Sequence, residues 1–412
     1  MSKPRSGYQQ SDVGVIPEDW RAAKIADVGR LQTGPFGTVL KASEYSDDHG
    51  VPLISVGEIK LGKIVLRPDT PVVDTQVVRR LPRYLIREGD ILFGRKGGVD
   101  RSAPVSRQQD GWFLGSDGIR LRPSSGYASQ FLAYQFQTQR IQDWLLENSV
   151  GTTMPSMNEA VLSQVGFPIP STEQEQKVIV EALADADALI EGLEALITKK
   201  RDIKQGTMRE LLTGDRRLPG FQGRWRKQKL GSAVAIRNEK VQTHNNAFAL
   251  KCIELEQISS ATGRVGRFVD ATDRYATKNR FRPGDVLFGR LRPYLRKYWL
   301  ADVEGVCSTE IWPLVPLGDV VDHGFLFFSV QTEGFIVAAS AAYGTHMPRA
   351  DWKMIADYEL VLPPTLDEQR AIAAVLSDMD AEIVALEDKL AKARAVKQGM
   401  TQVLLTGEIR LI

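Results

Sequence analysis

Apolar residues recur at heptad spacing in two long stretches of the chain, residues 172–213 and 365–406. One heptad position holds Leu183, Ile190, Ile197 and Leu211 in the first stretch and Leu376, Ile383, Leu390 and Leu404 in the second. This spacing is typical of coiled-coil helices. We therefore predict two long helices, with Leu183, Ile190, Ile197, Leu376, Ile383 and Leu390 forming the core of the helix pair.

The ends of both predicted helices carry matching signals. Thr172-x-x-Glu175 and Thr365-x-x-Glu368 form capping boxes at the starts, and Gly214 and Gly407 can take left-handed conformations after the ends. Residues 173–194 contain seven acids and one base, whereas residues 199–217 contain seven bases and three acids. The second stretch repeats this polarity. Because an antiparallel arrangement brings acids beside bases, we predict an antiparallel pair within the chain.

The chain repeats itself 193 residues later. Residues 151–214 align with residues 344–407 without a gap, and 25 of the 64 positions are identical. Arg87-Glu88-Gly89-Asp90-Ile91-Leu92-Phe93-Gly94-Arg95 is echoed by Arg282-Pro283-Gly284-Asp285-Val286-Leu287-Phe288-Gly289-Arg290. A repeat of this length indicates two copies of one structural unit.

Short β-branched runs broken by turn residues precede each helix and indicate mixed α/β domains. We expect an α+β protein in which two similar α/β domains are separated by a long antiparallel coiled-coil helix pair with pseudo-twofold internal symmetry. The predicted parts are a first domain (1–170), a first helix (171–214), a second domain (215–363) and a second helix with a C-terminal tail (364–412).

Basic residues concentrate just after the echoed strand in each domain. Residues 79–107 hold eight bases and three acids, and residues 279–298 hold six bases and one acid, with Phe281, Phe288, Tyr294 and Tyr298 interleaved. Arginine side chains can bind phosphates and read guanine edges. The alternative interpretation is a solvated loop beside core aromatics.

Bulk composition excludes little and favours an intracellular protein. The 412 residues have a net charge of +2, so any nucleic-acid surface must be local rather than general. Two cysteines give no disulfide framework, and we see neither a signal peptide nor a membrane-spanning run, so we expect a cytoplasmic location without membrane partners.

Motifs for catalysis are missing from the sequence. It contains no Asn-Pro-Pro-aromatic tetrapeptide for amino methylation and no G-x-x-x-x-G-K-[ST] nucleotide loop. Its four histidines and two cysteines do not have metal-ligand spacing. We therefore expect no catalytic residues, no metal and no cofactor in this chain.

The chain resembles the specificity subunits of type I restriction–modification systems over nearly its whole length. The resemblance rests on Gly34-Pro35-Phe36-Gly37-Thr38, on Arg282-Pro283-Gly284-Asp285-Val286 with the residues that follow, and on the prolines before the two helices. One departure is Lys96-Gly97-Gly98, which stands where the second copy has Leu291-Arg292-Pro293. This departure suggests that the first loop is presented differently.

The resemblance implies two target recognition domains, each reading one half of a split, asymmetric site in double-stranded DNA. It implies that the helices set the spacer and dock two methyltransferase subunits, with a restriction and translocation subunit outside. Docking then depends on the helix-core residues Leu183, Ile190, Ile197, Leu376, Ile383 and Leu390. S-adenosylmethionine, ATP and Mg are then expected on the partners. The candidate DNA-binding residues are Arg95, Lys96, Arg101, Thr152, Arg290, Arg292, Arg296, Lys297 and His346.

Two other functions stay open at this point. A stand-alone DNA-modifying enzyme would show turnover when purified alone. A two-headed scaffold for non-DNA ligands would lack the salt-dependent DNA affinity that phosphate neutralisation produces.

Overall fold

The computed structural model describes residues 5–46, 49–151, 153–242, 251–270, 277–341 and 348–411. Two compact units divide the chain. The first unit comprises Met1–Gly192 and Leu390–Ile412, and the second comprises Leu193–Lys389. Each unit therefore combines one globular domain with portions of both long helices.

The globular domain of the first unit contains fourteen strands and five short helices among its described residues. The strands are β1 Tyr8–Ser11, β2 Gly14–Pro17, β3 Trp20–Lys24, β4 Gly29–Thr33, β5 Tyr45–Ser46, β6 Val51–Ile54, β7 Ile59–Lys60, β8 Lys63–Ile64, β9 Val72–Val73, β10 Ile91–Gly94, β11 Ser102–Pro104, β12 Phe113–Leu114, β13 Gly118–Pro123 and β14 Gly166–Pro170. The helices are α1 Ile25–Val28, α2 Thr75–Arg80, α3 Ser129–Phe136, α4 Gln139–Glu147 and α5 Glu159–Leu162. The first long helix, α6, follows as Glu173–Thr213.

The second globular domain repeats this arrangement with eleven described strands. They are β15 Arg226–Lys229, β16 Val234–Ile236, β17 Lys240–Gln242, β18 Lys251–Ile253, β19 Val269–Asp270, β20 Thr277–Phe281, β21 Val286–Gly289, β22 Tyr298–Leu300, β23 Gly305–Cys307, β24 Ile311–Pro316 and β25 Glu359–Leu362. Its short helices are α7 Leu230–Ala233, α8 His323–Ser329, α9 Glu333–Ser340 and α10 Trp352–Ile355, and the second long helix is α11 Leu366–Leu404.

The central sheet has the same topology in both units. Four antiparallel strands lie in the order β11-β10-β13-β4 in the first unit and β22-β21-β24-β16 in the second. A second sheet in each domain contains one parallel pair, β6 with β12 and β18 with β23. A two-stranded antiparallel ribbon, β3 with β14 or β15 with β25, leads into the long helix of each repeat. These findings confirm the predicted α+β class and the duplication.

The long helices run antiparallel in each unit, and duplicated ion pairs join them. Lys204 binds Asp380 at 2.6 Å in the second unit, and Lys397 binds Asp187 in the first. The two pairs occupy equivalent positions of the repeat. Acidic first halves therefore lie beside basic second halves, which confirms the antiparallel prediction from charge.

Burial of the predicted helix core is uneven. Leu183 and Leu376 are completely buried, and Ile197 and Ile383 are nearly so. Ile190 and Leu390, by contrast, are half-buried. The heptad pattern thus identified the packed face, but not how deeply each position is covered.

Each globular domain is closed by the end of the long helix that begins in the other unit. Leu404 at the end of α11 and Leu405 directly after it enter the core of the first domain, and Leu211 and Leu212 of α6 enter the core of the second. Burial of one leucine side chain is worth about 1.5–3 kcal/mol. The helix ends are therefore part of the domain cores.

A buried carboxylate fixes each of these closures. Arg410 binds the buried Glu175 through two hydrogen bonds of 2.7 and 2.8 Å, and Arg217 binds the buried Glu368 at 2.9 and 2.7 Å. The predicted capping threonines do accept a helix N–H, each at 3.3 Å. In a capping box, Glu175 and Glu368 would accept a hydrogen bond from the backbone N–H of the N-cap residue. Their carboxylates bind Arg410 and Arg217 instead.

The predicted C-terminal glycines also pack in equivalent ways. Gly214 and Gly407 have φ of +81° and +72°, which confirms the left-handed conformation. A Cβ on Gly214 would lie 3.1 Å from the ring of Trp225, and one on Gly407 would lie 2.6 Å from Pro17 and 3.3 Å from Trp20. Both the backbone angle and the close packing therefore favour glycine here.

We expect Ile383→Asp to lower the free energy of unfolding by about 3 kcal/mol or more, because it places an unpaired charge at a buried position. Urea denaturation followed by circular dichroism measures this. Val396→Asp on the same helix is the control, since Val396 is 60% exposed and the change should cost about 0.5 kcal/mol or less. Equal effects would contradict the assignment of Ile383 to the helix core.

Glu387 provides a pH-dependent link between α11 and the second domain. Burial raises its pKa, but ion pairs of 2.6 Å with Arg201 and with Arg264 outweigh this and lower it overall. Its stabilisation is therefore present above the ordinary glutamate pKa of about 4.3 and is lost as the pH falls through the lowered value.

Consequently, Glu387→Gln should reduce stability by about 1 kcal/mol at pH 7. The difference from the parent protein should shrink as the pH falls below about 4. Urea unfolding at several pH values measures this. Glu382→Gln removes a single pair with Lys200 and should have a smaller effect. A difference that grows on acidification would contradict the lowered pKa of Glu387.

Candidate nucleic-acid interface

All seven described candidates from the basic clusters lie in two equivalent loops. Residues 95–101 connect β10 to β11 and form the first basic loop. Residues 290–297 connect β21 to β22 and form the second basic loop. The strands before them, Ile91–Gly94 and Val286–Gly289, are completely buried, so each loop starts from a rigid support.

Three backbone hydrogen bonds hold both loops in the same frame. In the first loop, Arg95 N donates to Asp117 O, Gly97 N to Pro155 O and Met157 N to Arg95 O, each at 2.8 Å. In the second, Arg290 N donates to Glu310 O at 2.9 Å, and Arg292 N to Pro348 O and Ala350 N to Arg290 O at 2.8 Å. The duplicated segments around Pro155 and Pro348 therefore position the basic loops.

The two loops differ at Lys96-Gly97-Gly98 and Leu291-Arg292-Pro293, but the backbone of both first makes the same turn. Gly97 has φ of +76° and Arg292 has φ of +51°, so both repeats use a left-handed residue at the same point. The second loop then continues through a 3-10 turn, Pro293–Leu295, and a second left-handed residue, Arg296, with φ of +54°. It is also one residue longer. The two loops thus begin with the same backbone conformation and differ in the residues that follow.

The first basic loop presents side chains with unequal freedom. Arg95 donates from Nη1 to Ser116 O at 3.1 Å and lies 5.2 Å from the ring centroid of Phe36. Lys96 is exposed, with Nζ 4.0 Å from an Asp117 carboxylate oxygen. Arg101 is partly buried and makes no side-chain hydrogen bond or ion pair with the described residues.

Two of the four second-loop candidates are already engaged within the domain. Arg296 binds Glu333, and Lys297 Nζ donates to Leu255 O at 2.7 Å. Arg292 is exposed, without a side-chain partner among the described residues. Arg290 lies over the Trp312 ring at 5.3 Å, and its buried Nε has no hydrogen-bond partner in the described part of the chain. Arg292 and Arg290 are the better-placed pair for a ligand.

Ion pairs neutralise several other bases that the charge counts included. Arg280 binds Glu304, Arg282 binds Glu239 and Arg80 binds Glu44. Of the interleaved aromatics, Phe281, Phe288 and Tyr298 belong to the hydrophobic core, whereas Tyr294 is 52% exposed. The alternative interpretation as core aromatics therefore holds for three of the four.

The remaining candidates, Thr152 and His346, lie outside the described residues. Sequence reasoning missed Arg349, which is paired with Leu291 of the second basic loop through a β-bridge. Its Nε lies 3.1 Å from both carboxylate oxygens of Glu310, and this hydrogen bonding raises the pKa of the guanidinium. Arg349 directly follows the sequence Gly-Thr-x-Met-Pro at residues 344–348, which also occurs at residues 151–155, and this position could have indicated it.

The described residues contain no candidate metal site, and both of their cysteines are buried. They contain no group of three or more His, Cys, Asp or Glu side chains that could hold a metal ion. Cys252 and Cys307 are free and buried, and burial raises the pKa of the Cys252 thiol to about 11. In the same part of the chain, no helix is sufficiently long and apolar to span a membrane.

Comparison with known proteins finds one family. The chain matches the family described as "Type I restriction modification DNA specificity domain" over residues 17–199 and 272–393. A specificity subunit assigned to the type I restriction enzyme MjaX of Methanocaldococcus jannaschii is 24% identical, covering 98% of this chain and 97% of that protein. The specificity subunit of the type I restriction enzyme EcoDI from Escherichia coli is 23% identical, with 96% and 89% covered.

Solved structures agree at the level of the fold. The S subunit of a type I restriction–modification system from M. genitalium has a TM-score of 0.57 and 16% sequence identity, covering 94% of this chain and 96% of that one. A second solved chain, from work on complex assembly and conformational transition of the type I R-M system, has a TM-score of 0.54 and 18% identity, with 96% and 99% covered.

The family match extends over both repeats and includes strands β10 and β21, which lead into the two basic loops. The matched ranges together make up more than half of the chain. The chain therefore belongs to the family of type I restriction–modification DNA specificity proteins.

Proposed function

We propose that the chain is the specificity subunit of a type I restriction–modification complex. Each globular domain reads one half of a bipartite, asymmetric DNA target. The observation that carries this proposal is the pair of basic loops, held by the same backbone hydrogen bonds but carrying different side chains. Two domains that recognise different half-sites require the same loop anchoring but different loop side chains.

The long helices are proposed to set the unread spacer and to dock two methyltransferase subunits, with a restriction and translocation subunit as a further partner. This is supported by the duplication of the helix pairing, since equivalent ion pairs between the two helices recur in both units. The structurally similar chain from the work on type I R-M complex assembly adds support, because it shares the fold over nearly its whole length.

The chain itself is proposed to bind without catalysing. The missing methylation and nucleotide motifs support this, and S-adenosylmethionine, ATP and Mg are assigned to the partner subunits. A turnover assay on the purified chain distinguishes this proposal from a stand-alone modifying enzyme. We propose a cytoplasmic location, where the DNA and partner subunits are available.

Single-molecule methylation mapping of DNA from cells that express this chain with its methyltransferase should reveal a split motif with a fixed unread gap. Two readers joined by helices of fixed length predict this pattern. The control is the methyltransferase expressed without the chain. Methylation at one contiguous site, or methylation that persists without the chain, would contradict the proposal.

Arg292→Ala should weaken binding to the half-site of the second domain by about tenfold or more, since a base-reading arginine contributes about 1–3 kcal/mol of discrimination. Fluorescence anisotropy with half-site duplexes at fixed salt measures this. Arg226→Ala is the control, because Arg226 is exposed on β15, which pairs with β25. Equal weakening on all sequences would assign Arg292 to phosphate, and no weakening would remove it from the interface.

A further inference from the structure

A rigid turn beside the first basic loop holds an aromatic side chain out of the domain. The turn comprises residues 34–38, and Phe36 is 60% exposed while Gly34 and Pro35 are buried. A Cβ on Gly34 would lie 1.8 Å from Gly115 O, so the backbone is pressed against its neighbour. Gly37 then takes a left-handed φ of +62°. Phe36 is therefore exposed between a closely packed glycine and a left-handed glycine.

Phe36 lies directly at the basic loop. Its ring centroid is 5.2 Å from the Arg95 guanidinium carbon, within the range of a cation–π contact. Lys96 is exposed on the same loop, and Arg101 has no ion-pair partner among the described residues. An exposed apolar ring beside a loop that carries three cationic side chains favours a ligand with both anionic groups and apolar groups, as a DNA duplex has.

Two further exposed apolar side chains lie next to the first basic loop. Val150 and Met154 are 62% and 60% exposed, comparable to Phe36 at 60%. Met154 directly precedes Pro155, whose O accepts the hydrogen bond from Gly97 N of the first basic loop. Val150 pairs with Ser156, which in turn is bridged to Lys96. Exposed apolar residues that cluster at one site mark a binding surface more often than scattered ones do.

We propose that Phe36 is a specificity-determining residue of the first domain, which contacts the C5 methyl group of a thymine in the major groove. This inference rests on the proposed function. A phenyl ring has no hydrogen-bond donor or acceptor, so it cannot read the polar edges of the bases. The thymine methyl is the apolar group that the major groove presents to it. Arg95 then lies beside the ring to contact a neighbouring base or phosphate.

The second basic loop also combines an exposed aromatic side chain with arginines, but its aromatic residue is a tyrosine. Tyr294 is 52% exposed between Arg292 and Arg296, and its hydroxyl adds a hydrogen-bonding group that Phe36 lacks. The two domains thus place aromatic side chains of different polarity beside their arginines. Different half-sites are the expected result.

The test uses the full chain and duplexes in which each thymine of its mapped half-site is replaced, one at a time, by deoxyuridine, which lacks the methyl group. For the parent protein, affinity should fall about three- to tenfold at one position, as expected for one buried methyl group and its packing. Phe36→Ala should show a similar loss on the thymine duplex and no further loss at that deoxyuridine. Fluorescence anisotropy measures both.

Independent losses for the substitution and the missing methyl would overturn the inference, as would unchanged affinity of Phe36→Ala. Phe36→Leu, which keeps an apolar side chain, should retain more affinity than Phe36→Ala, and equal loss would contradict the methyl contact. An increase in 2-aminopurine fluorescence that depends on Phe36 would indicate insertion between bases instead, and would also overturn it.

Two controls separate this inference from the proposed function. The urea unfolding midpoint of Phe36→Ala should match the parent because the side chain is exposed, and a shift would assign Phe36 a structural role. If the parent protein shows no sequence preference at all, the proposed function fails. If the parent is selective and Phe36→Ala is equally selective, only the role of Phe36 fails.

Discussion

The exchange of helix ends is the constraint on which the rest of the structure depends. The core of the first domain is completed by Leu404 and Leu405, and that of the second by Leu211 and Leu212. A buried glutamate paired with an arginine fixes each end, and breaking such a pair leaves an uncompensated buried charge that costs several kcal/mol. The position of each long helix is therefore set by the domain that it completes.

This shared scaffold supports two basic loops that differ from each other. The central sheets, the three loop hydrogen bonds and the helix ion pairs are the same in both units. The loop tips differ in length, in turn type and in their aromatic neighbours. Gly97 and Arg292 illustrate this, since one backbone conformation carries no side chain in the first loop and an exposed guanidinium in the second.

Patterns that depend on local spacing predicted much of the architecture. The heptads, the opposed charges and the terminal glycines identified the helices, their antiparallel packing and their left-handed ends. Exposure was harder to predict because it depends on distant partners. Arg296 is engaged by Glu333, Tyr298 is buried and Tyr294 is not, and Phe36 is exposed although Gly34 packs closely against Gly115. Only the folded chain brings these residues together.

The chain connectivity of the two units also has a consequence for biosynthesis. The second unit is one continuous segment, Leu193–Lys389, so all its parts are translated before Leu390–Ile412. The first unit begins earlier but needs Leu390–Ile412, which is translated after the whole second unit. Until then its hydrophobic core lacks Leu404 and Leu405, and Glu175 lacks Arg410. The unit whose translation begins first is thus the last to receive all of its segments.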